Sequence, residues 1–310
     1  MKESFLSRDI DRTCLAEIVY ALHFLLEEKR PEEISILSIG CGCGYFEEGM
    51  ANLYRNIRYY QKFLFDFELE YGFNPMNVLS ALKKINIIAS DVASPRNKLF
   101  YDSVKSKNII RRKIDAITDA FPGSDIIISS FVLHHLYTAA VQYPVFSLDL
   151  HNKGLQNIET VFKKAFRAGA KCVVCREFML SEGGVLDEVE MSIESPHIKS
   201  LIIEYFSYQK RKQFELPLFN YQISDVHQLK LKRIVRDDLL SWLAIVINGR
   251  FNKMHERREL HTCLSPKMLA KLCKTQKWKC RQRLFSYKDD APVYHLLENK
   301  KRINVFTITR

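Results

Sequence analysis

The sequence predicts an α/β fold, a doubly wound, mostly parallel sheet of seven strands with helices on both faces and a helical insertion. Two observations carry this expectation. Short apolar runs rich in β-branched residues recur along the chain, separated by stretches of helical spacing. The runs are apolar throughout instead of alternating, as strands covered on both faces must be.

Between Arg12 and Glu28 the residues Leu15, Ile18, Val19, Leu22, Leu25 and Leu26 recur at three- and four-residue spacing, which predicts an amphipathic helix ending before Pro31. "ISILSI" (34–39) stops at Gly40 and is the first strand. Residues 45–84 form an enlarged helical connection with turn residues at Gly72 and Pro75. "INIIAS" (85–90) is the second strand, followed by Asp91. "KNIIRRKI", ending at Asp115, is the third, "DIIISSFV" (125–132) the fourth and "AKCVVCREF" (170–178) the fifth. Ile158, Val161, Phe162 and Phe166 mark a helix closed by Gly169. From 181 to 262 the strand rhythm gives way to Lys, Arg, Leu and aromatic residues at helical spacing, so this segment is expected to be a mostly helical insertion. In "LSPKMLAKLCKTQKW", Ser265 is the N-cap and Pro266 the first helical residue. "KCRQRLFSY" and "NVFTIT" then close the sheet. The resulting division is a core over 1–180 with an N-terminal helix, an insertion over 181–262, and closing elements over 263–310.

At 310 residues and 47% hydrophobic, the chain can bury a substantial core. The start "MKESFLSRDIDRT" lacks the apolar centre of a signal peptide. "LLSWLAIVI" falls far short of the roughly 20 residues that cross a bilayer, so an intracellular, cytoplasmic protein without a membrane span is expected. Eight cysteines at scattered spacing read as reduced thiols, not a disulfide framework. The net charge of +11 is uneven: residues 195–310 hold 24 Lys and Arg against 10 Asp and Glu, whereas residues 1–194 hold 23 against 26. The basic part leaves nucleic acid open as a partner, although solvated helix faces explain the same charge.

In "ILSIGCGCGYFEE" a strand runs into Gly40, Gly42 and Gly44 and then a helix. Glycines there permit a tight bend and let backbone approach a ligand, while the helix start offers unpaired N–H groups. In open α/β sheets ligands bind at the carboxyl ends of strands, near the point where strand order reverses. Asp91 ends the second strand, where a carboxylate can meet ribose hydroxyls. Asp115 ends the third, where it or the neighbouring backbone can meet an adenine amino group. Ser130, Phe131 and Val132 end the fourth, beside the nucleoside. For each aspartate the plain alternative is a turn or helix cap.

Together "ILSIGCGCG", "NIIASDVASP", "KIDAITDAFPGSDIIISSFVLHHL" and "AKCVVCREF" resemble the successive motifs of class I S-adenosylmethionine-dependent methyltransferases. "SSFVLHHL" is especially similar to the branch that includes ubiquinone/menaquinone-biosynthesis enzymes. The resemblance covers residues 34–180, with weaker support over 263–310. It implies a Rossmann-like seven-stranded sheet with an antiparallel last strand. It also implies S-adenosylmethionine bound by Gly40, Cys41, Gly42 and Gly44, by Asp91, by Asp115 with Ala116, and by 130–132. One departure stands out, because the family's ribose carboxylate lies about 20 residues beyond the loop. Asp66 and Glu68 sit at that distance and Asp91 does not. The Asp91 register is preferred because Asp115 then leaves an ordinary connection to the fourth strand.

Methyl transfer from a sulfonium needs mainly positioning, plus a base if the acceptor must lose a proton. His134 and His135 follow the fourth strand and are candidate catalytic residues, with Glu177 a weaker one. No metal site is expected, since Cys172 and Cys175 of the C-x-x-C point to opposite faces of a strand, and Cys263, Cys273 and Cys280 lack paired spacing with any histidine except His261. The insertion aromatics Tyr205, Phe206, Tyr208, Phe214, Phe219, Tyr221 and Trp242 form either an acceptor pocket or the insertion's own core. The expected acceptor is a small molecule or a protein. "QKRKQ" and "KLKRIVR" motivate a nucleic-acid acceptor as the alternative, and a catalytically silent S-adenosylmethionine-binding module is the reading from another class. A nicotinamide dehydrogenase is disfavoured because the loop lacks the further glycine and carries Phe46 there.

Overall fold

The computed structural model describes residues 9–96, 101–141, 148–193, 196–211, 228–247, 264–285 and 303–310. Helix α1 (Asp9–Glu28) leads into β1 (Ser35–Ile39). The long connection that follows holds α2 (Tyr45–Ala51), a 3-10 helix (Leu53–Tyr60), α3 (Gln61–Tyr71) and α4 (Met76–Ala81). Strands β2 (Asn86–Asp91), β3 (Ile109–Lys113) and β4 (Ile126–Ser130) come next, then α5 (Leu133–Val141), α6 (Leu148–Arg167) and β5 (Cys172–Phe178). The segment 181–262 contributes β6 (Glu188–Ser192), α7 (Pro196–Arg211), β7 (Gln228–Lys232) and α8 (Arg233–Ile247). Helix α9 (Pro266–Thr275), β8 (Lys279–Phe285) and β9 (Ile303–Thr309) close the chain.

Seven strands form one sheet in the order β3-β2-β1-β4-β5-β9-β8. β1 pairs in parallel with β2 on one side and β4 on the other, so strand order reverses at β1. β9 runs antiparallel to both β5 and β8. This is the mostly parallel, doubly wound architecture that the apolar runs predict, and each predicted strand of the sheet is present. Alternation along the strands divides the core in two. Ile36, Ile87, Ile126 and Val174 face α1 with Leu15, Ile18 and Leu22, whereas Leu37, Ile127 and Val173 face Ile158, Val161 and Phe162 of α6 and Leu269 of α9.

The same alternation sends Cys172 into the first cluster and Cys175 into the second. A shared metal between them is thereby ruled out by geometry. Ser265 caps α9 by accepting from the Met268 amide, and Pro266 occupies the first turn, as expected. At the far edge, buried Glu17 of α1 accepts from Arg281, Thr307 and Tyr71, tying the helix to β8, β9 and α3.

The insertion holds helices α7 and α8, as predicted, and also an antiparallel ribbon of β6 with β7 that the sequence reading lacks. Tyr205, Phe206, Leu239 and Trp242 are buried in a core of its own, which favours the core over the pocket for these aromatics. Phe214, Phe219, Tyr221, His261 and Cys263 lie outside the described residues, as does the end of "QKRKQ". Within the insertion, Asp237 of α8 accepts from the Ser181 amide and hydroxyl at 2.7 and 2.9 Å, three residues past the end of β5. No helix among the described residues is long and apolar enough to cross a membrane.

Candidate functional site

At the carboxyl end of β1 all three loop glycines have positive φ: 65° at Gly40, 52° at Gly42 and 78° at Gly44. They are required for two different reasons. A Cβ on Gly40 would stand 2.5 Å from Val132, and one on Gly44 would collide with Val104, so these two are packing glycines. A Cβ on Gly42 would meet nothing within 4 Å. Gly42 therefore fronts open space, at the place where the strand order reverses and ligands of open sheets bind.

Backbone bonds lock the loop: the Cys41 amide donates to the Ser90 carbonyl at 2.9 Å, and the Gly44 amide to Cys41 at 2.9 Å. The amides of Tyr101 and Ser103 donate to the carbonyls of Gly42 and Cys43. Asp91, ending β2, accepts from the Gly42 amide at 3.1 Å and from the Ala93 amide at 3.2 Å. Each carboxylate oxygen thus spends one lone pair on backbone and keeps another. Asp66 and Glu68, at the family's usual spacing, lie exposed on α3.

Beyond β3, the Asp115 carboxylate accepts from the Ile117 amide at 2.8 Å while Asp119 accepts from the Asp115 amide at 2.8 Å. This is a self-capped turn, so what Asp115 offers a ligand is chiefly the backbone it shapes. Ala116 is buried, and its carbonyl accepts from Lys164 of α6 at 2.8 Å. After β4, Phe131 has a left-handed φ of 56°, a costly conformation for a bulky residue. It is held there by its amide donating to Arg176 at 2.8 Å and by the Arg176 guanidinium 4.6 Å from its ring. Ser130 accepts from the Arg176 Nε at 2.9 Å. Val132 is buried against Gly40.

Structure separates the two histidines. His134, the second residue of α5, is buried, with its Nδ1 3.0 Å from Glu177 Oε1, and its amide donates to Glu177 Oε2 at 3.3 Å. Glu177 is fully buried and also accepts from the Phe178 amide at 3.0 Å. A carboxylate so placed fixes the proton on Nδ1. His135 is exposed, with its ring 4.2 Å from that of His134.

Three residues that the sequence reading passes over complete the site. Glu47, one turn into α2, is 2% exposed and accepts from the Ser38 hydroxyl at 2.5 Å. Its Oε2 is buried without a hydrogen-bond partner, and burial pushes the carboxyl up to about 7. Tyr101, nearly fully buried, donates its hydroxyl to the Arg112 carbonyl at 2.8 Å and so joins the glycine loop to β3. Arg176 is 3% exposed beneath Phe131. No periodicity marks these positions, since each polar group meets a different element: Glu47 meets Ser38 of β1, Tyr101 meets Arg112 of β3 and Arg176 meets Ser130 of β4. Cys41 is a small filler beside Glu47 and Asp91, and burial with those two carboxyls drives its thiol far up, away from thiolate chemistry.

No protein-family model matches the chain, and no curated protein does. Among solved structures it is similar to the methyltransferase domain of a bacterial CtHen1, at 14% identity over 97% of this chain and 98% of that one, with a TM-score of 0.41. It is also similar to an S-adenosylmethionine-dependent methyltransferase from Mesorhizobium loti, at 11% identity over 95% and 98% of the two chains, with a TM-score of 0.43. The YcgJ protein of Bacillus subtilis is a third, at 10% identity over 95% and 99%, with a TM-score of 0.42. These are distant likenesses of fold.

Proposed function

We propose that the chain is an S-adenosylmethionine-dependent methyltransferase acting inside the cell. The observation that carries this reading is the open space over Gly42 at the strand-order reversal, with Asp91 beside it and the strained Phe131 on the far side. Gly40, Cys41, Gly42 and Gly44 supply the floor. Asp91 has lone pairs left for ribose hydroxyls, and the backbone of Asp115 and Ala116 with the 130–132 segment flanks the nucleoside. The motif "SSFVLHHL" supports a place near the quinone-biosynthesis branch.

Bound there, the cofactor supplies a methyl group on a sulfonium sulfur. The chain's contribution is orientation, exclusion of water and proton handling. His134, braced by Glu177, would take a proton at Nε2 from a hydroxyl or carbon-acid acceptor, and Glu177 would stabilise the imidazolium that results. His135 is the more exposed of the pair. The division into a cofactor core over 1–180, an insertion over 181–262 acting as a lid, and closing elements over 263–310 belongs to this reading. Its test is incubation of the chain with S-adenosylmethionine and fractionated cell extract, with S-adenosylhomocysteine quantified by mass spectrometry. Turnover with at least one fraction is expected. Binding with no turnover in any fraction would favour a silent binding module.

A further inference from the structure

We infer that the exposed edge strand β3 and the turn before it form a track for single-stranded nucleic acid that leads to the candidate site. The segment 105–113, "KSKNIIRRK", carries Lys105, Lys107, Arg111, Arg112 and Lys113 and no acidic residue, although residues 1–194 as a whole hold more Asp and Glu than Lys and Arg. All five side chains are exposed. None forms an ion pair with a described residue. Five cations in nine residues repel one another; the Glu48 carboxylate, which accepts from the Lys105 and Ser106 amides at 2.7 and 2.9 Å, offsets part of that cost at one end, and a polyanion would relieve the rest.

The shape of the surface selects the partner. β3 is the outermost strand, so the cations lie along a line and not on a plane. Arg111 and Lys113 point to one side roughly 7 Å apart, with Arg112 opposite, and each can meet a separate phosphate of one extended strand. Arginine forks suit phosphate oxygens. Ile110, on the Arg112 face, is 53% exposed, and Tyr54 is 44% exposed on the adjoining 3-10 helix, with the Lys83 ammonium 5.3 Å from its ring. Asn52 to Ser106 at 2.9 Å and Asn108 to the Leu82 carbonyl at 3.0 Å bind these elements to the strip. An exposed aromatic beside a cationic line is the arrangement on which bases of a single strand stack. In the other direction the strip ends at Lys113, in register with Asp91 at the glycine loop. A flat anionic membrane would touch only part of such an edge.

This inference deepens the methyltransferase reading by naming a nucleic-acid acceptor, and it rests on that reading only for what happens at the end of the track. The test is fluorescence anisotropy of a labelled single-stranded RNA of about 20 nucleotides, without cofactor, over a salt series. Three variants are compared: the wild type, the triple variant Arg111→Gln, Arg112→Gln, Lys113→Gln, and a charge-matched control, Lys267→Gln, Lys271→Gln, Lys274→Gln, on α9 next to the opposite edge strand. Losing three phosphate contacts should reduce the slope of log K against log salt by about 2 and weaken binding on the order of 100-fold at ~0.1 M salt. The control should retain its slope, and S-adenosylmethionine titration of the β3 variant should match wild type, which separates this inference from the cofactor reading. Undiminished RNA binding by the β3 variant, equal loss in the control, or tighter binding to phosphatidylserine vesicles than to RNA would each overturn it.

Discussion

Glu47→Gln isolates the most unusual group beneath the glycine loop. The carboxyl is buried, shares one hydrogen bond with Ser38, and has its pKa raised from 4.5 to about 7, chiefly by desolvation. Because the folded pKa lies above the unfolded one, the folded state holds the proton more tightly. The protein is free of this penalty below pH 4.5, loses stability as pH rises from there to about 7, and carries a constant penalty above. At 1.36 kcal/mol per unit, the difference accumulated between about pH 5 and about pH 8 is on the order of 2–3 kcal/mol. Glutamine keeps the shape and an acceptor for Ser38 but does not titrate. Urea unfolding at the two pH values should therefore show the variant gaining about 2–3 kcal/mol on the wild type at the higher pH, whatever its offset at the lower one. Parallel pH profiles of the two proteins would refute the burial argument, and a variant that loses ground as pH rises would reverse it.

Gly42→Ala should cost only about 1–2 kcal/mol of stability, the ordinary penalty for a left-handed alanine, yet weaken S-adenosylmethionine binding at least ~10-fold by calorimetry. Gly40→Ala, driven into Val132, should lower the thermal midpoint more than Gly42→Ala does. Replacing Cys41 and Cys43 together with Ser should leave cofactor affinity within about 3-fold, as the x positions of a backbone loop should, and loss of binding would revive a thiol role. His134→Ala and Glu177→Gln should both lower turnover with little change in cofactor affinity. Glu177→Gln should in addition shift the pH–rate profile, because the carboxylate fixes the His134 proton and stabilises its charge. An unaltered profile would reduce Glu177 to packing.

Much of this architecture is legible in the sequence, for a simple reason. Strands β1, β2, β4 and β5 are buried on both faces, so their apolar runs are unbroken, and glycine or polar residues end them where backbone must turn. The ribbon in the insertion is harder. "QLKLK" does alternate with period two, but it passes without a break into the helical spacing of α8, and "EVEMS" is too short and charged to stand out. In the site, the glycines and Asp91 announce themselves through backbone geometry that only such residues satisfy. Glu47, Tyr101 and Arg176 do not, because a buried polar side chain is defined by partners on other elements of the fold. Asp115 shows the converse, since a carboxylate at a strand end can satisfy its own turn.

The central claim concerns what binds over Gly42. Titration calorimetry of the intact chain with S-adenosylmethionine, S-adenosylhomocysteine and NAD tests it most directly. Saturable one-to-one binding of the first two, weakened by Gly42→Ala, with no heat from NAD, is the predicted result. Saturable NAD binding with no response to either sulfur compound would contradict it.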